Sequence, residues 1–230
     1  PMPTIHDEEF GTVVIRKNAK ARQLRIRVAP DGTLRASMPS YAPTFLLKRL
    51  LKTSRNDIRK MLIEAIPHHS YTQGQQIGKS HTLIVQKGTS LTAKRVKQQL
   101  VLTLPSNETL DSPAVKTLLR AEVISILRIE SKKHLPRRLE YLASTYGFNY
   151  NKVRFSHASS RWGSCSSAGT ISLNIALMKL PFELIDYVLI HELAHTVEMN
   201  HSERFWRLVA QGDPAYKQHR KVLKNETPSI

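Results

Sequence analysis

The stretch that decides the fold is His191-Glu192-Leu193-Ala194-His195. On a helix, two histidines four residues apart lie on one face, so their imidazoles can bind one metal ion. Glu192 is placed to polarise a metal-bound water. Apolar residues at helical spacing precede this stretch: Leu184, Ile185, Val188 and Leu189. The pattern predicts an active-site helix over residues 181–199.

A catalytic zinc ion needs a third protein ligand and keeps one position open for water. The candidate is His201, six residues after His195. On a continuous helix His201 would lie about 15 Å along the axis from His191 and on the wrong face. The chain must therefore turn near Asn200, because Asn tolerates the left-handed conformation that ends helices. We predict one Zn²⁺ held by these three histidines, with Glu192 as the general base.

Charge is the unusual feature of the composition. The chain has 35 Lys and Arg against 18 Asp and Glu, a net charge of +17. Residues 1–110 hold 18 basic and 7 acidic side chains, and residues 111–230 hold 17 and 11. Such a surface attracts polyanions such as nucleic acid, anionic lipid or acidic protein. The excess of basic over acidic side chains is larger in residues 1–110, which predicts a basic N-terminal region.

Composition also excludes several classes of protein. The 40% hydrophobic and 23% charged residues are typical of globular proteins, which excludes collagen-like and wholly disordered chains. No stretch has the ~18 apolar residues of a membrane helix, and the N-terminus is not a secretory signal. A single cysteine, Cys165, allows no intrachain disulfide. We expect a cytoplasmic protein without a membrane partner; its oligomeric state is not indicated.

Strands are predicted mainly in the N-terminal half and helices mainly in the C-terminal half, so we predict an α+β protein. Period-two alternation and Asp31-Gly32 predict a basic hairpin with Arg25, Arg27 and Arg35 on its outer face. A helix over residues 43–66 and short strands over 71–104 should follow, with no evident internal repeat. Ser112-Pro113 begins another helix, which Pro136 should break or kink. We predict a strand-rich region at 1–110 and a zinc hydrolase module at 111–230.

Several motifs together resemble the YgjP-like metallopeptidase domain, a family related to the SprT-like proteases. They are Arg161-Trp162-Gly163-Ser164-Cys165-Ser166, Ile171-Ser172-Leu173-Asn174, the histidine stretch above, and Asn200-His201-Ser202-Glu203-Arg204-Phe205-Trp206. The resemblance implies a gluzincin-like zinc hydrolase with His191, His195 and His201 as ligands. It also implies an edge strand that binds peptide substrate through main-chain hydrogen bonds. Residues 172–175 match that strand.

Two further residues are candidates for substrate binding. Arg161 would stabilise an oxyanion or bind a substrate carboxylate or phosphate; alternatively, it holds a strand against the helix. Asn174 would contact the substrate backbone, or it caps a strand end. Cys165 would pack as a small buried residue, or it would bind zinc as a thiolate.

The leading functional hypothesis is a zinc metalloendopeptidase acting on protein or peptide. The basic N-terminal region adds an association with DNA, which the resemblance to SprT-like proteases implies. One alternative is a zinc-dependent nucleotide pyrophosphatase, since an activated water can also attack phosphorus. Another is a nucleic-acid-binding protein with a structural zinc site, although such sites usually have four protein ligands.

Overall fold

A computed structural model describes residues 3–19, 21–29, 33–65 and 71–230. The chain divides into two compact units, Pro1–His68 and His69–Ile230. Helices and strands occur in both, so the protein is of mixed α+β class. Among the described residues, no helix is both long and apolar enough to cross a membrane.

The first unit contains a four-stranded sheet. Its strands are β1 (Thr4–Asp7), β2 (Gly11–Asn18), β3 (Arg25–Val28) and β4 (Leu34–Pro39), in the order β1-β2-β4-β3. β2 and β4 run parallel, and the outer pairs are antiparallel. The predicted hairpin is the β3–β4 pair, in which Arg27 lies opposite Arg35. Its turn residues, Asp31 and Gly32, lie outside the described residues.

Two helices follow where one was predicted. α1 (Thr44–Thr53) and α2 (Arg55–Ala65) are separated at Ser54, so the single helix expected over 43–66 is wrong. Ser54 has φ −108° and ψ 26°, outside the helical range. The apolar spacing continues across this break, which is why the pattern did not reveal it. Leu47 and Leu51 of α1 and Ile58 of α2 are buried in the core of this unit.

The second unit begins with another four-stranded sheet. Its strands are β5 (Gln76–Ile77), β6 (His81–Lys87), β7 (Thr92–Val96) and β8 (Gln99–Leu104), in the order β5-β6-β8-β7. β6 and β8 are parallel and the outer pairs antiparallel. The strand order and the relative directions of the strands are therefore the same as in the first sheet.

The two sheets also share their register and part of their sequence. Val13 pairs with Leu34 in the first sheet as Leu83 pairs with Leu100 in the second. The corresponding segments read TVVIRK at 12–17 and TLIVQK at 82–87. The chain therefore has an internal structural repeat, and the expectation of no repeat is wrong. The similarity of the two segments can be recognised only when the strand pairing is known, because few of their residues are identical.

One long helix, α3 (Pro113–Tyr146), forms the centre of the second unit. It begins at the predicted Ser112-Pro113 and ends at Gly147, whose φ of 73° is the left-handed conformation that glycine favours. Pro136 lies inside the helix and does not end it. α3 contacts both β5 and β7, so the predicted boundary at residue 110 falls within this unit.

A three-stranded sheet carries the site residues that precede the histidines. Its strands are β9 (Lys152–Ser156), β10 (Gly163–Cys165) and β11 (Thr170–Asn174), in the order β10-β11-β9. β11 is central, parallel to β9 and antiparallel to β10. The predicted edge strand at 172–175 is therefore wrong, since both sides of β11 are paired. Within the described residues, β10 is an edge strand of this sheet.

Three helices complete the unit. They are α4 (Phe182–Ala194), α5 (Glu203–Gly212) and α6 (Tyr216–Leu223). α4 is buried along most of its length and contacts α3, α5, α6 and β10. It ends at Ala194 rather than at residue 199, so His195 occupies its C-cap with helical φ and ψ.

Candidate metal centre

The three predicted histidines converge. One ligand atom from each of His191, His195 and His201 lies within 4.8 Å of the others. α4 supplies the first two, and the chain then turns so that His201 comes from the segment before α5. Ser202 caps α5 by accepting a hydrogen bond from the Phe205 N–H at 3.3 Å. The predicted turn brings the third histidine back to the first two.

The distances and protonation of the histidines fit a metal ion. Nε2 of His201 lies 3.2 Å from Nε2 of His191. Two nitrogens bound tetrahedrally at about 2.0–2.1 Å from zinc would be separated by roughly 3.3 Å. The pKa of His191 is lowered to about 3 by burial and by the neighbouring His195 and His201, so its imidazole is neutral. Neutral imidazole is the form that binds metals.

One histidine is oriented by the backbone. Nδ1 of His195 lies 3.1 Å from the carbonyl oxygen of Glu198, which accepts a hydrogen bond from the protonated Nδ1. That tautomer leaves Nε2 of His195 as the metal-binding atom. Burial lowers the pKa of His195, which also favours the neutral form. Nδ1 of His191 is buried and, among the described residues, has no hydrogen-bond partner.

Glu192 lies beside this cluster in a buried position. Its side chain is 5% exposed, and its Oε2 has no hydrogen-bond partner in the described part of the chain. Burial raises the pKa of Glu192 to about 8, against an opposing effect of the Arg161 charge. A buried carboxyl with a free oxygen can accept or donate a proton.

The first residue of β10 passes directly over this carboxyl. A methyl group added to Gly163 would lie 2.5 Å from Oε1 of Glu192 and 2.8 Å from its Cγ. Only glycine permits this approach. Gly163 was not among the predicted site residues, because no strand was predicted next to it; a glycine within a strand pattern would have indicated close backbone contact.

The two predicted substrate-binding residues differ in environment. Arg161 is exposed, and its charge acts on Glu192. Asn174 is completely buried, and its amide donates to the carbonyls of Ala158 at 2.6 Å and Arg161 at 2.9 Å. Its Oδ1 accepts from the Ala176 N–H at 3.0 Å. Substrate contact stays a prediction for both, and for Asn174 the structure shows the alternative role of a strand-end cap.

Cys165 is at the end of β10 and is half-buried. Burial and the charge of Glu192 raise the pKa of its thiol to about 11. Its Sγ donates to the Ser166 carbonyl at 3.4 Å. The metal-binding group found among the described residues consists of the three histidines alone. These contacts favour the packing role of Cys165.

Aromatic side chains surround the histidines. Phe205 is fully buried, and its ring centroid lies 4.4 Å from that of His195 and 4.8 Å from that of His201. Trp206 stacks on His201. Both residues stand in the motif that carried the resemblance, but sequence reasoning gave them no part in the site.

A histidine triad on and after a helix, with a buried carboxyl beside it, defines a metal-dependent hydrolase. The chain belongs to the YgjP-like metallopeptidase domain family, which it matches over residues 22–226. The predicted resemblance to this family is therefore confirmed. A metallopeptidase domain implies a bound metal and a peptide substrate.

Among solved structures, the chain is similar to the metallopeptidase zymogen of Pyrococcus abyssi abylysin. The two sequences are 30% identical over 39% of this chain and 92% of that chain, with a TM-score of 0.36. A search of the curated proteins found no match.

Proposed function

We propose that the chain is a zinc-dependent endopeptidase. His191, His195 and His201 would hold one Zn²⁺, which supplies Lewis-acid polarisation when bound. The observation that carries the proposal is the buried Glu192 carboxyl, with one unpartnered oxygen, beside three converging imidazoles. A structural metal site does not require a buried carboxyl that is not itself a metal ligand.

Glu192 acts as the general base. Nearby positive charge lowers the pKa of a carboxyl, so a cation held by the three histidines would favour the ionised form of Glu192. Its free oxygen takes a proton from the attacking water and later gives that proton to the leaving amine. The exposed guanidinium of Arg161, whose charge acts on Glu192, would neutralise negative charge that develops on the substrate.

Peptide substrate would pair with β10 rather than β11. β10 is an edge strand and begins at Gly163, which touches the Glu192 side chain. A peptide added to this edge would lie next to the base. Main-chain pairing of this kind needs no free peptide terminus, which favours internal cleavage.

The experiment compares zinc-loaded wild type with Glu192→Gln on internally quenched peptides. The matched control is Glu183→Gln, because Glu183 is exposed in the first turn of the same helix. We expect a 10²–10⁴-fold loss of activity in Glu192→Gln only. Full activity of Glu192→Gln would refute the mechanism. Pyrophosphate release from nucleoside triphosphates, without peptide cleavage, would favour the pyrophosphatase.

DNA association is a second proposal, favoured by the repeat. The exposed Arg25, Arg27 and Arg35 correspond in register to Thr92, Lys94 and Val101 of the second sheet. The shared framework therefore does not require arginine at these positions. A cluster of three arginines on one sheet face suits phosphates.

The test measures DNA binding at about 50 mM salt and above. Replacing the three arginines by Ala should weaken binding and flatten its salt dependence by roughly 0.9 per lost phosphate contact. Replacing three exposed lysines of the second sheet removes equal charge and serves as the control: Lys87, Lys94 and Lys97. Absence of binding by wild type at 50 mM salt would refute the proposal. Cytoplasmic localisation stays a prediction.

A further inference from the structure

The third histidine is held differently from the other two. His191 and His195 are fixed by the backbone of α4 and its C-cap. His201 is exposed and lies between helices, where no helical backbone fixes it. Among the described residues, its one side-chain hydrogen-bond contact is with His191 at 3.2 Å. The imidazole of His201 therefore needs another support if the site is preformed.

Trp206 supplies that support. Its ring stacks on His201, with centroids 5.6 Å apart and planes inclined by 26°. Trp206 lies in the first turn of α5, and its backbone N–H donates to the Ser202 carbonyl at 3.1 Å. The backbone that carries the indole is therefore fixed in α5, which begins shortly after His201. A planar stack of this kind restricts the ring orientation of the histidine.

The last helix in turn holds the indole. Tyr216 stacks on Trp206 with centroids 5.4 Å apart and planes inclined by 16°. The guanidinium carbon of Arg220 lies 4.6 Å from the Trp206 ring centroid. Tyr216 and Arg220 both belong to α6. α6 lies after all three histidines in the chain and contacts the Trp206 ring that stacks on His201.

We propose that Trp206 is a positioning residue for the third metal ligand. Tyr216 and Arg220 of α6 hold its indole in place. The stack orients the His201 imidazole before the metal arrives, so less order is lost on binding. This inference rests on the proposed zinc site, but it concerns metal affinity and needs no peptidase activity.

The first experiment measures zinc affinity by chelator competition. Trp206→Leu removes the ring but keeps an apolar side chain, and we expect about tenfold weaker binding. Trp206→Phe keeps a ring that can stack and should recover most of the affinity. The matched control is Trp162→Phe, because Trp162 packs against the same core without a ring contact to the histidines. Circular dichroism and the apo melting temperature show whether each variant folds.

A spectroscopic readout separates positioning from simple packing. Co²⁺ absorption bands report the ligand geometry, and we expect them to broaden or shift in Trp206→Leu. In Trp162→Phe, Trp206 is the single tryptophan of the chain, so its emission should change when zinc binds His201. Folded Trp206→Leu with wild-type zinc affinity and wild-type Co²⁺ bands would overturn the inference.

The outcomes also distinguish this inference from the proposed function. If wild type binds zinc, Trp206→Leu binds it weakly, and no peptide is cleaved, the inference stands and the peptidase proposal fails. If peptide is cleaved and zinc affinity is independent of Trp206, the inference alone fails. A wild-type protein that binds no zinc would refute both.

Discussion

Gly163 and Glu192 are in contact although 29 positions separate them in the chain. The missing side chain of Gly163 leaves the space that the Glu192 carboxyl occupies, with Oε1 only 2.5 Å from where a methyl group would lie. The first residue of the edge strand β10 is therefore in van der Waals contact with the proposed general base. The position of the base depends on a residue that has no side chain.

Gly163→Ala tests this relationship. The added methyl group must displace the Glu192 side chain or shift β10, and a buried carboxyl has little room to move. We expect peptide hydrolysis to fall more than about tenfold while zinc remains bound, since a small misplacement of a catalytic group is costly. Ser164→Ala, in the same strand, is the control. Equal activity of both variants would show that the close approach is unimportant.

Removal of the metal should lower the thermal stability of the protein. Zinc bound only by the folded state adds about 2.7 kcal/mol at one hundred times its dissociation constant. For a chain of this size, that corresponds to a rise in melting temperature of roughly 5–10 °C. Chelation should reverse the rise, as measured by calorimetry. His201→Ala should show a much smaller response to zinc, and an unchanged response would remove His201 from the ligand set.

Asn174→Ala should unfold more readily without a specific loss of substrate binding. The change leaves the carbonyls of Ala158 and Arg161 and the N–H of Ala176 without a partner. Each buried polar group left unsatisfied costs about 1–3 kcal/mol. Urea unfolding measures this loss, with the exposed Asn149→Ala as the control. A raised KM at unchanged stability would instead support the predicted contact between Asn174 and substrate.

Glu130 makes stability depend on pH. Burial raises the pKa of this carboxyl, but hydrogen bonds from Ser80, Lys79 and His81 outweigh burial and lower it below its usual 4.5. A lowered folded-state pKa adds stability above the ordinary pKa, which is lost as the pH falls through the folded value. The bonds join α3 to the turn before β6.

The test compares wild type with Glu130→Gln in urea at pH 7 and near pH 3.5. We expect a difference in unfolding free energy of about 1–3 kcal/mol at pH 7, and a smaller one in acid. Glu122→Gln is the control, because Glu122 lies on the same helix and, within the described part of the chain, its ion pair is a long one of 3.8 Å to Arg95. A pH-independent difference would show that the ionised form of Glu130 is not what stabilises the fold.

The histidines were predictable because metal chemistry restricts their spacing. Two ligands on one helical face and a third after a turn can be recognised without knowing what surrounds them. The pairing of a strand with its neighbours in a sheet could not be predicted in this way. Residues 170–174 alternate like a strand, but alternation does not tell whether β10 or β11 is at the edge.

Breaks in helices were equally hard to locate. The apolar pattern runs through Ser54, where the helix breaks, and Pro136 interrupts a pattern whose helix continues. Proline weakens a helix locally, but α3 buries apolar residues on both sides of Pro136, including Leu135 and Leu139. Tertiary packing therefore outweighed the local preference.

The matching order and register of the two four-stranded sheets have a consequence for the history of the chain. Duplication of one ancestral segment would produce two sheets with the same strand order and the same register. The second copy packs against α3 in the unit that holds the histidines. The first has its own helices and its own hydrophobic core. After such a duplication, one copy can acquire a new function while the other keeps the first.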